Sequence, residues 1–161
     1  MKTIRIQFIA VVVAVLVLCF PAGPVEAQQG GDVAVIVNPD NPATSISMAD
    51  LHKIFGGDKQ SWGAFPAVPF VRAAKAHERD VLLTVIMKMT ESQFQDYWVK
   101  KVYSGAVAHE PLALMSTGMQ LEAIRSQKGG IALINAQEVK EGVKVLKVDG
   151  LAPGAAGYPL K

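Results

Sequence analysis

Cysteine is absent after position 19, so whatever folds beyond that point has neither a disulfide framework nor a thiol nucleophile. Charge of one sign is also missing. The 16 Lys and Arg against 14 Asp and Glu are interspersed along the chain, which excludes the basic footprint expected of a nucleic-acid or anionic-membrane binder. Histidine is sparse: His52, His77 and His109 lie in separate segments with no i, i+4 partner and no neighbouring cysteine, so no metal site is expected. A GxSxG elbow, a Walker loop and a dinucleotide-binding glycine pattern are likewise missing. Enzyme chemistry and a cofactor are therefore not expected.

What is present begins with an export leader. Lys2 and Arg5 precede an apolar run from Phe8 to Phe20, and Val25-Glu26-Ala27 places small residues where a signal peptidase reads, predicting residues 1–27 as a signal cleaved after Ala27. The run falls short of the about 20 apolar residues a membrane span needs; an uncleaved N-terminal anchor is the alternative. Cys19 lies inside the run behind Leu18, where lipid attachment requires a small residue. Cleavage leaves 134 of the 161 residues, periplasmic or secreted, enough for one independently stable domain over 28–150.

Val33 to Val37, VAVIV, is a continuous β-branched run that suits a strand buried on both faces of a parallel sheet. NPDNP ends it, Ser47 is placed to cap a helix through Leu51, Ile54 and Phe55, and Gly56-Gly57 stops that helix. Ala67 to Val71 reads as a strand, with Pro69 favouring an edge or strand-start position. From His77 to Met89 apolar spacing predicts one amphipathic helix. Thr90 and Gln93 form a capping box for the next, with Phe94, Tyr97, Trp98 and Val102 on its inner face and Gly105 as its stop. Leu112 to Met115, Ile131 to Ile134 and Val143 to Val148 complete about five strands. The alternation implies an α/β fold, a mainly parallel sheet with helices on both faces. The Gly-, Ala- and Pro-rich residues 151–161 read as an irregular C-terminal arm.

Several of these stretches carry a resemblance. VAVIVNPDNPATSISMADLHKIFGGDKQSW, KGGIALI and VDGLAPGAAGYPL together resemble the periplasmic phosphate-binding proteins of ABC transporters, and YWVKKVYSG with Pro111 is similar to their short, single-lobe secreted relatives. The likeness runs from about Val33 to Leu160. It implies a single lobe of the type II periplasmic-binding-protein fold, with phosphate or another oxyanion as ligand and an ABC transporter or other periplasmic protein as partner. A protein-interaction module that has lost ligand binding is the alternative.

The resemblance also implies where a ligand would sit. Arg72 occupies the place of an arginine that leaves a strand ahead of a Ser-Gly-Thr turn, and the three turn positions fall on Ala76, His77 and Glu78. Arg72 and His77 are candidate oxyanion residues on that ground. Independently of the resemblance, Ser116, Thr117 and Gly118 are candidates because both loops follow the carboxyl end of a strand and open a helix, where open α/β sheets bind ligands and free N–H groups attract anions. For Ser116-Thr117-Gly118 a simple N-cap explains the residues equally well. Glu78 and Asp80, in a first helical turn, would complement that helix's own N-terminus and compete with a bound anion.

Overall fold

The computed structural model describes residues 31–62 and 64–161, so the leader expected over residues 1–27 and Cys19 lie outside the described residues. VAVIV forms strand β1 (Val33–Val37), every residue of it buried. Alternating side chains go to opposite faces. Val33, Val35 and Val37 join one apolar cluster, while Ala34 and Ile36 join a second across the sheet.

After β1 the elements are β2 (Ser45–Ile46), α1 (Met48–Phe55), β3 (Ser61–Trp62), β4 (Phe65–Pro66), β5 (Val68–Arg72), α2 (His77–Val81) and a π-helical segment (Leu82–Met87). There follow α3 (Glu91–Tyr103), β6 (Leu112–Leu114), α4 (Thr117–Ser126), β7 (Gly130–Asn135), a short 3-10 turn and β8 (Lys144–Val148). Strands β3 and β4 make a separate hairpin; the others form a six-stranded sheet in the order β2-β8-β1-β7-β5-β6. The α/β architecture is as expected, with one strand more: β2 is only two residues long and hidden in the ATSIS loop. Five strands point one way and β1 alone runs against them, antiparallel to both β7 and β8. Burial of β1 on both faces is real, but it comes from helices covering each side and not from parallel pairing.

The helices start and stop where local chemistry directs. Ser47 Oγ accepts from the Asp50 amide at 3.0 Å to cap α1. Gly57 ends it at φ +74°, where an added Cβ would lie 2.8 Å from the Trp98 ring, so both the backbone conformation and the close approach require glycine. The box at Thr90 and Gln93 forms in full, with both reciprocal hydrogen bonds present. Pro69 is second in β5, ahead of the point at Phe70 where pairing with β6 begins, which meets the strand-start condition.

Two helical expectations are corrected. The single helix predicted over His77–Met89 is instead one α-turn followed by π-helix, closed by Lys88 in the left-handed region at φ 55°. The wider winding brings Leu82, Leu83, Ile86 and Met87 all inward, a broader stripe than a 3.6-residue period presents. On α3, Phe94 and Trp98 are buried, but Val102 is 39 % exposed. Only the first turns of α3 lie over the core, and its last turn projects past it.

Arg79 locks α2 to α3. Its guanidinium meets Glu91 in a two-pronged pair at 2.7 and 3.0 Å and lies 4.5 Å above the centre of the Phe94 ring. Hydrogen bonding from Arg79, partly offset by burial, holds the Glu91 carboxyl below its ordinary range. A carboxyl lowered in this way stabilises the fold above its unfolded value, about 4.3, and that contribution is lost as pH falls through the folded value. Glu91→Gln is therefore expected to lower the urea midpoint at pH 7, by a margin that shrinks as pH falls through the folded value of the wild-type carboxyl.

Candidate functional site

Strands β5, β6 and β7 are mutually parallel, so their carboxyl ends share one edge of the sheet, and the reversed β1 brings its amino end to the same edge. Open α/β sheets bind ligands at such carboxyl edges. Arg72 is the last residue of β5, Ser116 follows β6 by two residues, Asn135 ends β7 and Gly31 precedes β1. The sheet therefore gathers the expected residues at one place.

Their side chains, however, are engaged with the protein itself. Arg72, 15 % exposed, donates from Nη1 to the Leu114 carbonyl at 3.2 Å, and its Nε faces Glu78 Oε2 at 3.6 Å. That separation is beyond hydrogen-bonding range. Arg72 Nε is accordingly buried with no hydrogen-bond partner. The other oxygen of Glu78 accepts from the Asn135 amide at 3.2 Å, and the Glu78 side chain is 8 % exposed.

The remaining candidates have equally local duties. His77 Nε2 donates to the Gly31 carbonyl at 3.1 Å, fixing the proton on that nitrogen. Ser116 Oγ accepts from the Met119 amide at 3.2 Å and so caps α4, and the Thr117 hydroxyl donates to the Glu138 carboxylate. Gly118, exposed in the first turn, has only Ser116 Oγ near its would-be Cβ, at 3.8 Å. Glu78 and Asp80 lie in the first turn of α2 as expected, but no side chain caps that helix, and Glu78 turns to Arg72 and Asn135. A buried guanidinium is a stronger attraction for a carboxylate than partial helix charge.

Asn135 and Glu138 were not expected at the edge. Both follow the IALI strand, and an Asn directly after a buried strand is the local signal that marks a strand end. Its side chain accepts from the Gln137 amide at 2.9 Å and opens the 3-10 turn. Among the described residues no three His, Cys, Asp or Glu side chains converge, and no helix is long and apolar enough to cross a membrane.

A cleft of about 300 Å³ lies at the opposite end of the sheet, lined by Ile54, Gly57, Val68, Phe70, Trp98 and Pro111 among others. It includes none of the candidate oxyanion residues.

The geometry defines one lobe of a periplasmic-binding-protein-like α/β fold. Among solved structures the chain is similar to a proposed phosphate ABC transporter substrate-binding protein from Clostridium perfringens with phosphate bound, at 16 % identity and TM-score 0.62 over 76 % of this chain and 46 % of that one. An ABC-type phosphate transport receptor from Vibrio cholerae matches at 18 % identity and TM-score 0.61, over 76 % of this chain and 48 % of that one. PstS from Borrelia burgdorferi matches at 17 % identity and TM-score 0.58, over 76 % of this chain and 49 % of that one. The chain thus spans about half the length of each. No family model matches it, and no curated protein matches it in sequence.

Proposed function

We propose that this is a secreted, non-enzymatic solute-binding protein that takes phosphate or a similar oxyanion weakly at the strand edge around Arg72, in the service of an ABC transporter or another periplasmic protein. One observation carries the reading. Arg72 ends β5 at the carboxyl edge of a sheet whose fold is shared with a structure that holds phosphate. A two-lobed receptor closes over its ligand and excludes water, whereas the lobe described here offers an open face and about half the donors. The expected affinity is therefore in the millimolar range, about 4 kcal/mol.

Isothermal titration of the mature protein with phosphate and with sulfate tests this. Saturable heat is expected in the millimolar range, and Arg72→Ala is expected to abolish it. Because that change leaves the Glu78 carboxylate buried without its cation, a lower melting temperature is expected as well, and the titration is run well below it. Absence of heat in the wild type at tens of millimolar ligand would remove the proposal.

A second reading, a protein-interaction module, is favoured by a different observation. Strand β6 is one free edge of the sheet; Leu112, its first residue, and Met115, just past it, are 61 % and 73 % exposed. Edge-to-edge self-association is the form that purified protein can test. Sedimentation showing a strict monomer at high concentration counts against it.

A further inference from the structure

Glu78 and Arg79 are adjacent in the sequence, and each pairs with a charged partner, yet the two pairs are built differently. The Arg79 pair is two-pronged, at 2.7 and 3.0 Å, with every contact inside hydrogen-bonding range. The Glu78 pair is a single 3.6 Å approach that leaves Arg72 Nε buried and unbonded. A structural ion pair with both side chains this buried would ordinarily close to hydrogen-bonding distance, because burying an arginine donor without an acceptor is costly. The looseness has a geometric origin: the Glu78 carboxylate is shared, one oxygen held by the Asn135 amide at 3.2 Å and the other turned towards Arg72.

A cation on one side, a backbone N–H on the other and a carboxylate between them make the arrangement of an anion site with an anion already in it. We infer that Glu78 is an internal ligand, a displaceable carboxylate that holds the oxyanion position between Arg72 and the Asn135 amide and sets the threshold for free anions. It rests on the oxyanion reading above and names the residue that governs it. The ligand class follows from the carboxylate being replaced: a tetrahedral or planar oxyanion that accepts from one guanidinium and one backbone amide, with phosphate and sulfate as the accessible probes. Glu78 then determines specificity by like-charge exclusion, admitting an anion only when its own carboxylate swings out.

The test uses Glu78→Gln and Glu78→Thr. Glutamine keeps the shape and an acceptor for the Asn135 amide while removing the charge; threonine vacates the position and leaves a hydroxyl. Both are expected to bind sulfate and phosphate at least about tenfold tighter than wild type, the lower end of what one unit charge within about 4–6 Å does to a neighbouring ionisation. Arg72→Ala combined with Glu78→Gln is expected to bind neither anion.

A nuclear magnetic resonance titration of the wild type removes dependence on the variants folding. Sulfate is expected to shift the Asn135 amide where chloride at matched ionic strength does not. Wild-type binding with no gain in a folded variant, or no sulfate-specific movement of Asn135, overturns the role of Glu78 and leaves the oxyanion reading standing. Absence of binding in the wild type removes the oxyanion reading for the native chain, and absence in both variants as well overturns the role of Glu78.

Discussion

Gly129→Ala is expected to destabilise the protein by at least about 3 kcal/mol, the upper range for forcing extra atoms into a packed interior. An added Cβ at this position would lie 1.7 Å from the carbonyl oxygen of Pro66 and 2.9 Å from its carbonyl carbon, and both are backbone atoms. A flexible side chain would swing aside; a backbone carbonyl takes its strand along. Pro66 belongs to the β3–β4 hairpin, paired with Ser61, and the Gly129 carbonyl accepts from the Val68 amide at 2.9 Å to start the β5–β7 ladder. Relief therefore has to separate the hairpin from the sheet or unpair the start of β5. With total stability of a domain this size about 5–15 kcal/mol, the loss is a large share of it. Urea denaturation of Gly129→Ala against wild type checks the figure, and a change under about 1 kcal/mol would mean that the hairpin yields freely.

Features that depend on a few adjacent residues were legible in the sequence. Ser47, the Thr90–Gln93 box and Ser116 act through hydrogen bonds that reach three residues, so a capping pattern alone locates them. The burial of VAVIV was legible for the same reason. Its direction was not, because antiparallel pairing of Val33 with Asn135 joins residues a hundred positions apart and nothing in a five-residue apolar run encodes which way its neighbours point. The π-helical segment escaped because LLTVIM is compatible with 3.6-residue periodicity; only the packing beneath it selects the wider turn.

The candidate site divides along the same line. Its location at the carboxyl ends of strands follows from reading strand-to-helix transitions. Its condition does not, since Glu78 reaches Asn135 across 57 positions, His77 reaches Gly31 across 46 and Thr117 reaches Glu138 across 21. Each of these contacts takes up a group that the residue types alone would leave free for a ligand. The same long-range closure explains the tail, whose Gly, Ala and Pro content announces irregular backbone but is silent on burial. Residues after Leu151 form only turns, yet Tyr158 and Leu160 are 2 % and 0 % exposed.

Tyr158→Ala is expected to cost about 3–5 kcal/mol, the range for truncating a buried aromatic residue to alanine. The ring fills the cluster beneath β1, its hydroxyl donates to the Val33 carbonyl at 2.8 Å, and the Leu160 carbonyl accepts from the Val33 amide at 2.9 Å. The tail thus satisfies both backbone groups of the first residue of β1. Tyr158→Phe keeps the packing and removes only the hydroxyl, so about 1 kcal/mol is expected. Burial raises the Tyr158 phenol above its ordinary range, with the charge of Asp32 adding to it. A raised folded value means stability that is fully present below the unfolded value, about 10, and lost as pH rises towards the folded one. Wild type is accordingly expected to lose stability above about pH 10 more steeply than Tyr158→Phe, in which nothing at that position titrates. Because β1 reaches the candidate edge at Gly31, the acceptor of His77, the alanine variant should also loosen that edge, read as faster amide hydrogen exchange at His77 and Glu78 than at the buried centre of β7. Uniform acceleration across the sheet would instead show that the tail supports the whole domain and has no separate hold on the edge.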